Sequence, residues 1–247
     1  MRTRDDRLSA IHTCWEQVRA AGAGGEVPDG RDALWSLLSR YGGSVERYLM
    51  GAVRDEDVAC ELAQEFAVAF LKGAFKGADP NRGRFRDFVK GVLQHLVANH
   101  FRKSKKNPGH LPTELQVADD GTEPSNDLDA RFTDCWREEL LARAWQGLAE
   151  MEKRTNQPYH TVLKHKADRP DQSSEEMAEA MSKRLGKAIN AAAIRKALQR
   201  SREKFADLLL DDLAASLADS GPESLERELI DLRLYDYCRP ALERKRG

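Results

Sequence analysis

Leu34, Leu37, Leu38, Tyr41, Val45, Tyr48, Leu49 and Val53 fall three and four residues apart. That spacing lines one side of a 3.6-residue helix and does not suit the two-residue alternation of a half-buried strand. The period returns along the chain. Val58, Leu62, Phe66 and Ala69–Phe70 share a side of a second predicted helix over 56–72. Phe85, Phe88, Val89, Val92, Leu93, Leu96, Val97 and Phe101 do so over 84–103. Composition agrees: 31 alanines and 28 leucines stand against 11 valines, 4 isoleucines and 7 threonines. Alanine and leucine favour helices, whereas β-branched residues favour strands. The expected fold class is all-α.

Turn chemistry divides the helices. Arg54-Asp55 separates the first two, and residues 76–83 form a loop rich in Gly, Pro, Asp and Asn. Residues 104–126 hold Pro108, Pro112 and Pro124 and few large apolar side chains, the composition of a linker. Beyond it Leu128, Phe132, Trp136, Leu140, Leu141, Trp145 and Leu148 mark a long helix. Further helices are expected over 157–168, 174–185, 190–218 and 223–235, with another over 5–21. A length of 247 residues admits one or two domains. The economical division is two small helical domains, 31–106 and 128–218, joined by a polar acidic linker over 107–127. Extensions cover 1–30 and 219–247. Leu225, Leu229, Ile230, Leu232 and Leu234 make the second extension amphipathic, and docking on the body is its expected fate.

A net charge of -1 suggests no nucleic-acid partner until it is resolved along the chain. From Arg82 to Lys106, eight cations face only Asp87. From Lys183 to Lys204, eight face only Glu203. Over 114–139, nine carboxylates face Arg131 and Arg137. A lone charge run is usually a solvated face. Two basic clusters, one in each expected domain, fit the electrostatic footprint of a phosphate-neutralising surface better.

The first cluster interleaves cations with Phe85, Phe88, His95, Asn99, His100 and Phe101. Aromatic faces can stack unpaired bases while Arg and Lys follow the backbone. Phe88, Val92 and Leu96 share helical spacing and are expected in the core, which leaves Phe85, His95 and His100 to touch a ligand. In the second cluster a Ser173–Ser174 cap opens a short helix of small residues, and a longer basic helix follows. That is a helix-turn-helix layout, whose second helix presents its N-terminal residues to a major groove.

Enzymatic classes find little support. There is no Gly-rich phosphate loop, G-x-S-x-G elbow or H-E-x-x-H. His95 and His100, like His160 and His165, are five residues apart and miss the four-residue spacing that aligns two metal ligands on a helix. Cys14, Cys60, Cys135 and Cys238 are scattered without a C-x-x-C pair, as suits a reducing compartment. No catalytic residue, metal or cofactor is expected. Residues 1–7 are charged and precede no apolar stretch of signal-peptide length. The longest apolar run, 66–71, is too short to cross a bilayer. A cytoplasmic protein without membrane insertion is expected.

Taken in order, Glu61-Leu62-Ala63-Gln64-Glu65-Phe66, then Arg84-Phe85-Arg86-Asp87-Phe88-Val89 through His95, Asn99 and Arg102-Lys103, then Ile194-Arg195-Lys196-Ala197-Leu198-Gln199-Arg200 make a sequence that resembles the extracytoplasmic-function sigma factors. These are small two-domain members of the bacterial sigma-70 family. The resemblance covers 34–106 and 136–213. It implies a region 2 helical bundle and a region 4 helix-turn-helix.

The resemblance also implies roles. Glu61, Leu62, Gln64, Glu65 and Phe66 would bind core RNA polymerase, on the clamp helices of its β′ subunit, and the linker would thread toward its active site and RNA exit path. Arg82, Arg84, Phe85, Arg86 and Phe88 would cradle a base flipped from the minus-ten element of promoter DNA. His95, Asn99, Arg102 and Lys103 would hold the melting duplex. Asn190, Ala191, Arg195, Lys196, Gln199 and Arg200 would read the minus-35 element. Both large polymerase subunits, β and β′, are implied partners, and an anti-sigma factor is admitted as a regulator. Two features depart from the family pattern: a longer connection over 182–190, and the tail from Ser220 onward. Two other classes stay open, a stand-alone helix-turn-helix regulator and a helical adaptor whose basic faces bind acidic proteins.

Overall fold

A computed structural model describes residues 28–72, 84–106, 126–217 and 221–246. Among them the secondary structure is helical throughout: α1 (Pro28–Val53), α2 (Glu56–Leu71), α3 (Phe85–Lys106), α4 (Asn126–Thr155), α5 (Tyr159–Asp168), α6 (Ser174–Leu185), α7 (Ala191–Ser216), α8 (Pro222–Asp231) and α9 (Tyr235–Arg246). The all-α expectation holds. The helix expected over 5–21, the loop at 76–83 and the body of the linker lie outside the described residues.

The chain divides into two compact units, Met1–Glu139 with Leu213–Leu232 and Leu140–Asp212 with Arg233–Gly247. The division falls inside α4, whereas the sequence places it at 107–127. The reason is aromatic. Phe132 and Trp136, in the first half of α4, are wholly buried, and the Trp136 ring stacks on Tyr41 of α1 at 4.7 Å. Phe132 meets Tyr48 edge-on at 5.7 Å. Large rings at close approach bind α4 to the first unit more firmly than linker composition suggests.

In the first unit, α1 and α2 form a hairpin. Arg54 takes a left-handed conformation (φ 56°) to close α1, and Asp55 caps α2 by accepting the Val58 N–H at 3.1 Å. Phe85 lies at the centre, 0% exposed, edge-on to Tyr41 and Phe70 and stacked on Phe88. The apolar side of α3 continues through Val89, Val92, Leu93, Leu96 and Val97. Leu225, Leu229 and Leu232 of the C-terminal segment are buried in this unit, as expected of a tail that docks on the body. The tail is two helices rather than the single one expected over 223–235. Arg233, at φ 55°, breaks it.

The second unit is built on α5, α6 and the start of α7. Val162, Met177, Ala178, Met181, Ile194 and Leu198 form its core, with Ile189 and Ala197 packed against it. Trp145 and Phe205 join α4 to α7 with ring centres 4.8 Å apart. Gly147 permits that approach, since a Cβ there would sit 3.2 Å from Leu208 Cδ2. Phe205 in turn meets Tyr237 of α9 edge-on.

Candidate nucleic-acid interface

In the second unit, local capping fixes the pair α6–α7. Ser173 and Glu176 make a reciprocal capping box: the Glu176 N–H donates to Ser173 Oγ at 3.2 Å, and the Ser173 N–H donates to Glu176 Oε2 at 2.8 Å. The bond from the Ser173 backbone N–H, followed by the Ser173 hydroxyl, holds the Glu176 carboxyl below its usual range. Gly186 ends α6 in the left-handed region, φ 63°, where a side chain would be strained. The connection over 186–190 then returns to α6. Ser182 Oγ donates to the Ala178 carbonyl at 2.7 Å and accepts the Ile189 N–H at 2.9 Å. Asn190 caps α7, its Oδ1 accepting the Ala193 N–H at 2.8 Å. The longer connection is therefore anchored at both ends.

That anchoring presents Asn190, Arg195, Lys196, Gln199 and Arg200 to solvent, with Ala191 half-buried beside them. Arg195 reaches Glu175 at 3.5 Å, an exposed pair of small energetic weight. Gln199 bonds to Glu203. Lys196 and Arg200 make no ion pair among the described residues. Together with Lys187 they line a cavity of about 450 Å³ whose floor includes Val162, Ile189 and Ile194. On the other flank, Arg195, Gln199 and Arg202 line an open groove of about 830 Å³ with Tyr237 and Arg244 of α9. Tyr237 and Arg244 did not enter the sequence-derived site, because the sequence read the tail only for its apolar face.

The first unit disposes its expected site residues less uniformly. Leu62 and Phe66 are core residues. The α2 surface offered to a partner reduces to Glu61 and Gln64, with Glu65 half-buried. Burial raises the Glu65 carboxyl above its ordinary value, and the Lys103 charge works the other way. Met50 and Val68 stand exposed in this unit.

On α3 the expectation that Phe85 is free to touch a ligand is overturned, since Tyr41, Phe70 and Phe88 enclose it. Phe88 is half-buried. His95, Asn99, His100 and Lys103 are half-buried and Arg102 is exposed, hydrogen-bonded to Asn99 Oδ1. Phe101, 46% exposed, is the aromatic that reaches solvent here. It continues the Val89–Leu93–Val97 stripe, so spacing alone predicts burial, and Phe101 was not among the residues expected to touch a ligand. Arg82 lies outside the described residues.

Arg84 and Arg86 are engaged within the chain. Arg84 Nη1 lies 2.5 Å from Glu228 Oε2 and 2.6 Å from Asp231 Oδ2, and its Nε lies 3.1 Å from Asp87 Oδ2. Burial disfavours the Arg84 charge and is the largest single influence on it. The Glu228 charge and the bonds to Asp231 and Asp87 together outweigh it and raise the pKa. Arg86 is 5% exposed and Glu228 1%. Arg86 Nη1 lies 2.9 Å from Glu228 Oε1 without the alignment of a hydrogen bond. Glu228 follows Leu225 by three residues and so belongs to the apolar side of α8. A carboxylate on such a side demands a buried cation, and that was the signal available in the sequence.

No described helix is long and apolar enough to cross a membrane, and no group of three His, Cys, Asp or Glu among the described residues could hold a metal ion. Comparison with protein-family models, curated proteins and solved structures finds no match.

Proposed function

We propose that this chain binds promoter DNA and core RNA polymerase as a sigma-type initiation factor, with the polymerase supplying the chemistry. One observation carries the reading. The capped, Ser182-anchored α6–α7 pair offers Arg195, Lys196, Gln199 and Arg200 from the exposed start of its second helix. Arg and Lys donate to guanine edges and Gln pairs with adenine in a major groove, while neighbouring cations meet phosphates. Glu61 and Gln64 supply a polar strip on α2 for the polymerase clamp, and Arg102, Lys103 and exposed Phe101 supply cations and a stacking face for an opened strand. An anti-sigma regulator and a cytoplasmic setting belong to the same proposal.

A second reading, a stand-alone helix-turn-helix regulator, is favoured by the carboxylates that neutralise Arg84 and Arg86 while the α7 cations stay open. Reconstitution with core polymerase separates the two. The initiation reading expects promoter-dependent run-off transcripts that vanish when Glu61 and Gln64 are both replaced by alanine. Duplex binding without any polymerase association would overturn it in favour of the regulator.

A further inference from the structure

At the N-terminus of α3, two guanidinium groups from Arg84 and Arg86 converge on the acids of α8. The first-turn N–H groups of a helix add partial positive charge at the same place. The combination suits an oxyanion, and two arginine forks match phosphate oxygens at least as well as carboxylates. The present occupants fit imperfectly. Glu228 Oε1 is close to Arg86 Nη1 yet unaligned, so a guanidinium 95% removed from solvent holds a donor with no hydrogen-bond acceptor among the described residues. Asp231 reaches Arg86 only at 3.7 Å.

These acids arrive on a separate helix, far along the chain. The apolar side of α8, Leu225 and Leu229, carries Glu228 into the site, while Ile230 stays exposed. A buried arginine stripped of its partner is costly, so the site is stable only with an anion in it. An anion tethered in the same chain acts at millimolar effective concentration and competes strongly with any external one.

We propose that the Arg84–Arg86 pair is a seat for a single-stranded nucleic-acid phosphate, and that α8 occupies it in cis through Glu228 and Asp231 as a displaceable phosphate mimic. The proposal rests on the nucleic-acid reading above and adds to it the competitor. Binding of a strand at this seat and undocking of α8 are then one equilibrium. By reciprocity, anything that holds α8 away from α3 raises the affinity for the strand by the factor with which the strand favours release of α8.

The test uses the full chain and a fluorescein-labelled single-stranded oligonucleotide. Glu228→Gln with Asp231→Asn keeps size and removes both charges. The double variant is expected to bind at least about tenfold tighter than the parent. Its salt dependence should steepen by about 1.4 in log–log slope if two phosphates are newly neutralised. Adding Arg84→Gln and Arg86→Gln should abolish the gain. Equal affinity and slope in parent and double variant would make the contact a structural tie and overturn the proposal. Should the double variant fail to fold, hydrogen exchange on the parent decides. Saturating oligonucleotide is expected to speed exchange of the α8 amides relative to α5, and unchanged α8 exchange overturns the proposal. Polymerase association of the parent, scored separately, reports on the initiation reading and is independent of the affinity ratio.

Discussion

Arg84 and Glu228 stand 144 residues apart in sequence and 2.5 Å apart in space, Nη1 to Oε2. Arg86, two residues on, faces the other oxygen of the same carboxylate. One acid, 1% exposed, thus serves two arginines of very different exposure. The Arg84 side chain is about a third open to solvent and can rehydrate if the pair breaks. Arg86 cannot.

Arg86→Ala is therefore the costlier substitution. It leaves Glu228 buried beside a single half-solvated partner, a situation that destabilises by about 3–5 kcal/mol. Arg84→Ala should cost about 1 kcal/mol, as expected of a partly solvated pair. Urea unfolding followed by circular dichroism orders the two. Equal losses would show that Arg86 does not depend on its burial.

Trp136→Ala removes a fully buried indole from its stack on Tyr41 and unfastens the first half of α4 from α1. Large-to-small changes of this kind cost about 3–5 kcal/mol. A loss below 1 kcal/mol in the same urea titration would mean that α4 contributes little to the first unit.

The helical class and most of the core were legible because a repeat of three and four residues reports directly on which side faces inward. Tyr41, Val45, Tyr48 and Leu49 of α1 and Val89, Val92, Leu93, Leu96 and Val97 of α3 are buried as that spacing requires. Whether a residue meets a ligand was less legible. Leu62 and Phe66 were given partner contacts by resemblance, yet periodicity puts them on the inward side, and there they lie. Phe85, which the spacing of Phe88, Val92 and Leu96 left free for a ligand, is buried at the centre of the first unit instead. The Arg84–Glu228 contact escaped because local pattern carries no information about which distant helix covers a surface. Only the misplaced acid on the apolar side of α8 hinted at it. The α6–α7 pair was readable because each of its devices, the Ser173 cap, Gly186 and Asn190, acts within a few residues.

Ser182→Ala deletes the hydroxyl that ties the α6–α7 connection to α6. The Ile189 N–H then loses its 2.9 Å acceptor in a half-buried setting. The expected loss is about 1–3 kcal/mol, with the connection over 186–190 loosened first. Proton–nitrogen NMR should place the largest shift and exchange changes at Ile189 and Asn190. Changes confined to α6 would contradict that role.

Thiol chemistry should sort the cysteines by burial. Cys60 is exposed, while Cys135 and Cys238 are buried. Burial pushes the Cys238 thiol up to about 12 and raises Cys135, where the Glu138 charge adds to it. The thiolate is the reacting form, so at pH 8 on the order of one Cys238 in ten thousand is reactive. In a Cys14→Ser protein, Ellman's reagent should modify Cys60 rapidly, and Cys135 and Cys238 only after denaturation. Rising pH should leave Cys238 inert until it approaches 12 or the fold opens. Fast native labelling of Cys238 below pH 9 would contradict its placement.

Lys196 and Arg200 differ from Arg195 in having no carboxylate partner among the described residues, and they share the rim of one cavity with Lys187. An unpaired cation gives up no intramolecular bond when it meets a phosphate, so its full counterion release appears in the salt dependence. Each phosphate contact contributes about 0.9 to the slope of log affinity against log salt on duplex DNA. Lys196→Ala and Arg200→Ala should each lower the slope by about 0.9 and weaken all duplex sequences alike if they meet phosphates. Arg195→Ala should change the slope less, because Glu175 already meets part of that charge, and should alter the preferred sequence if its guanidinium reads a base edge. Fluorescence anisotropy on matched and scrambled duplexes at several salt concentrations measures both quantities. A slope unchanged by all three substitutions would remove the exposed face of α7 from the interface.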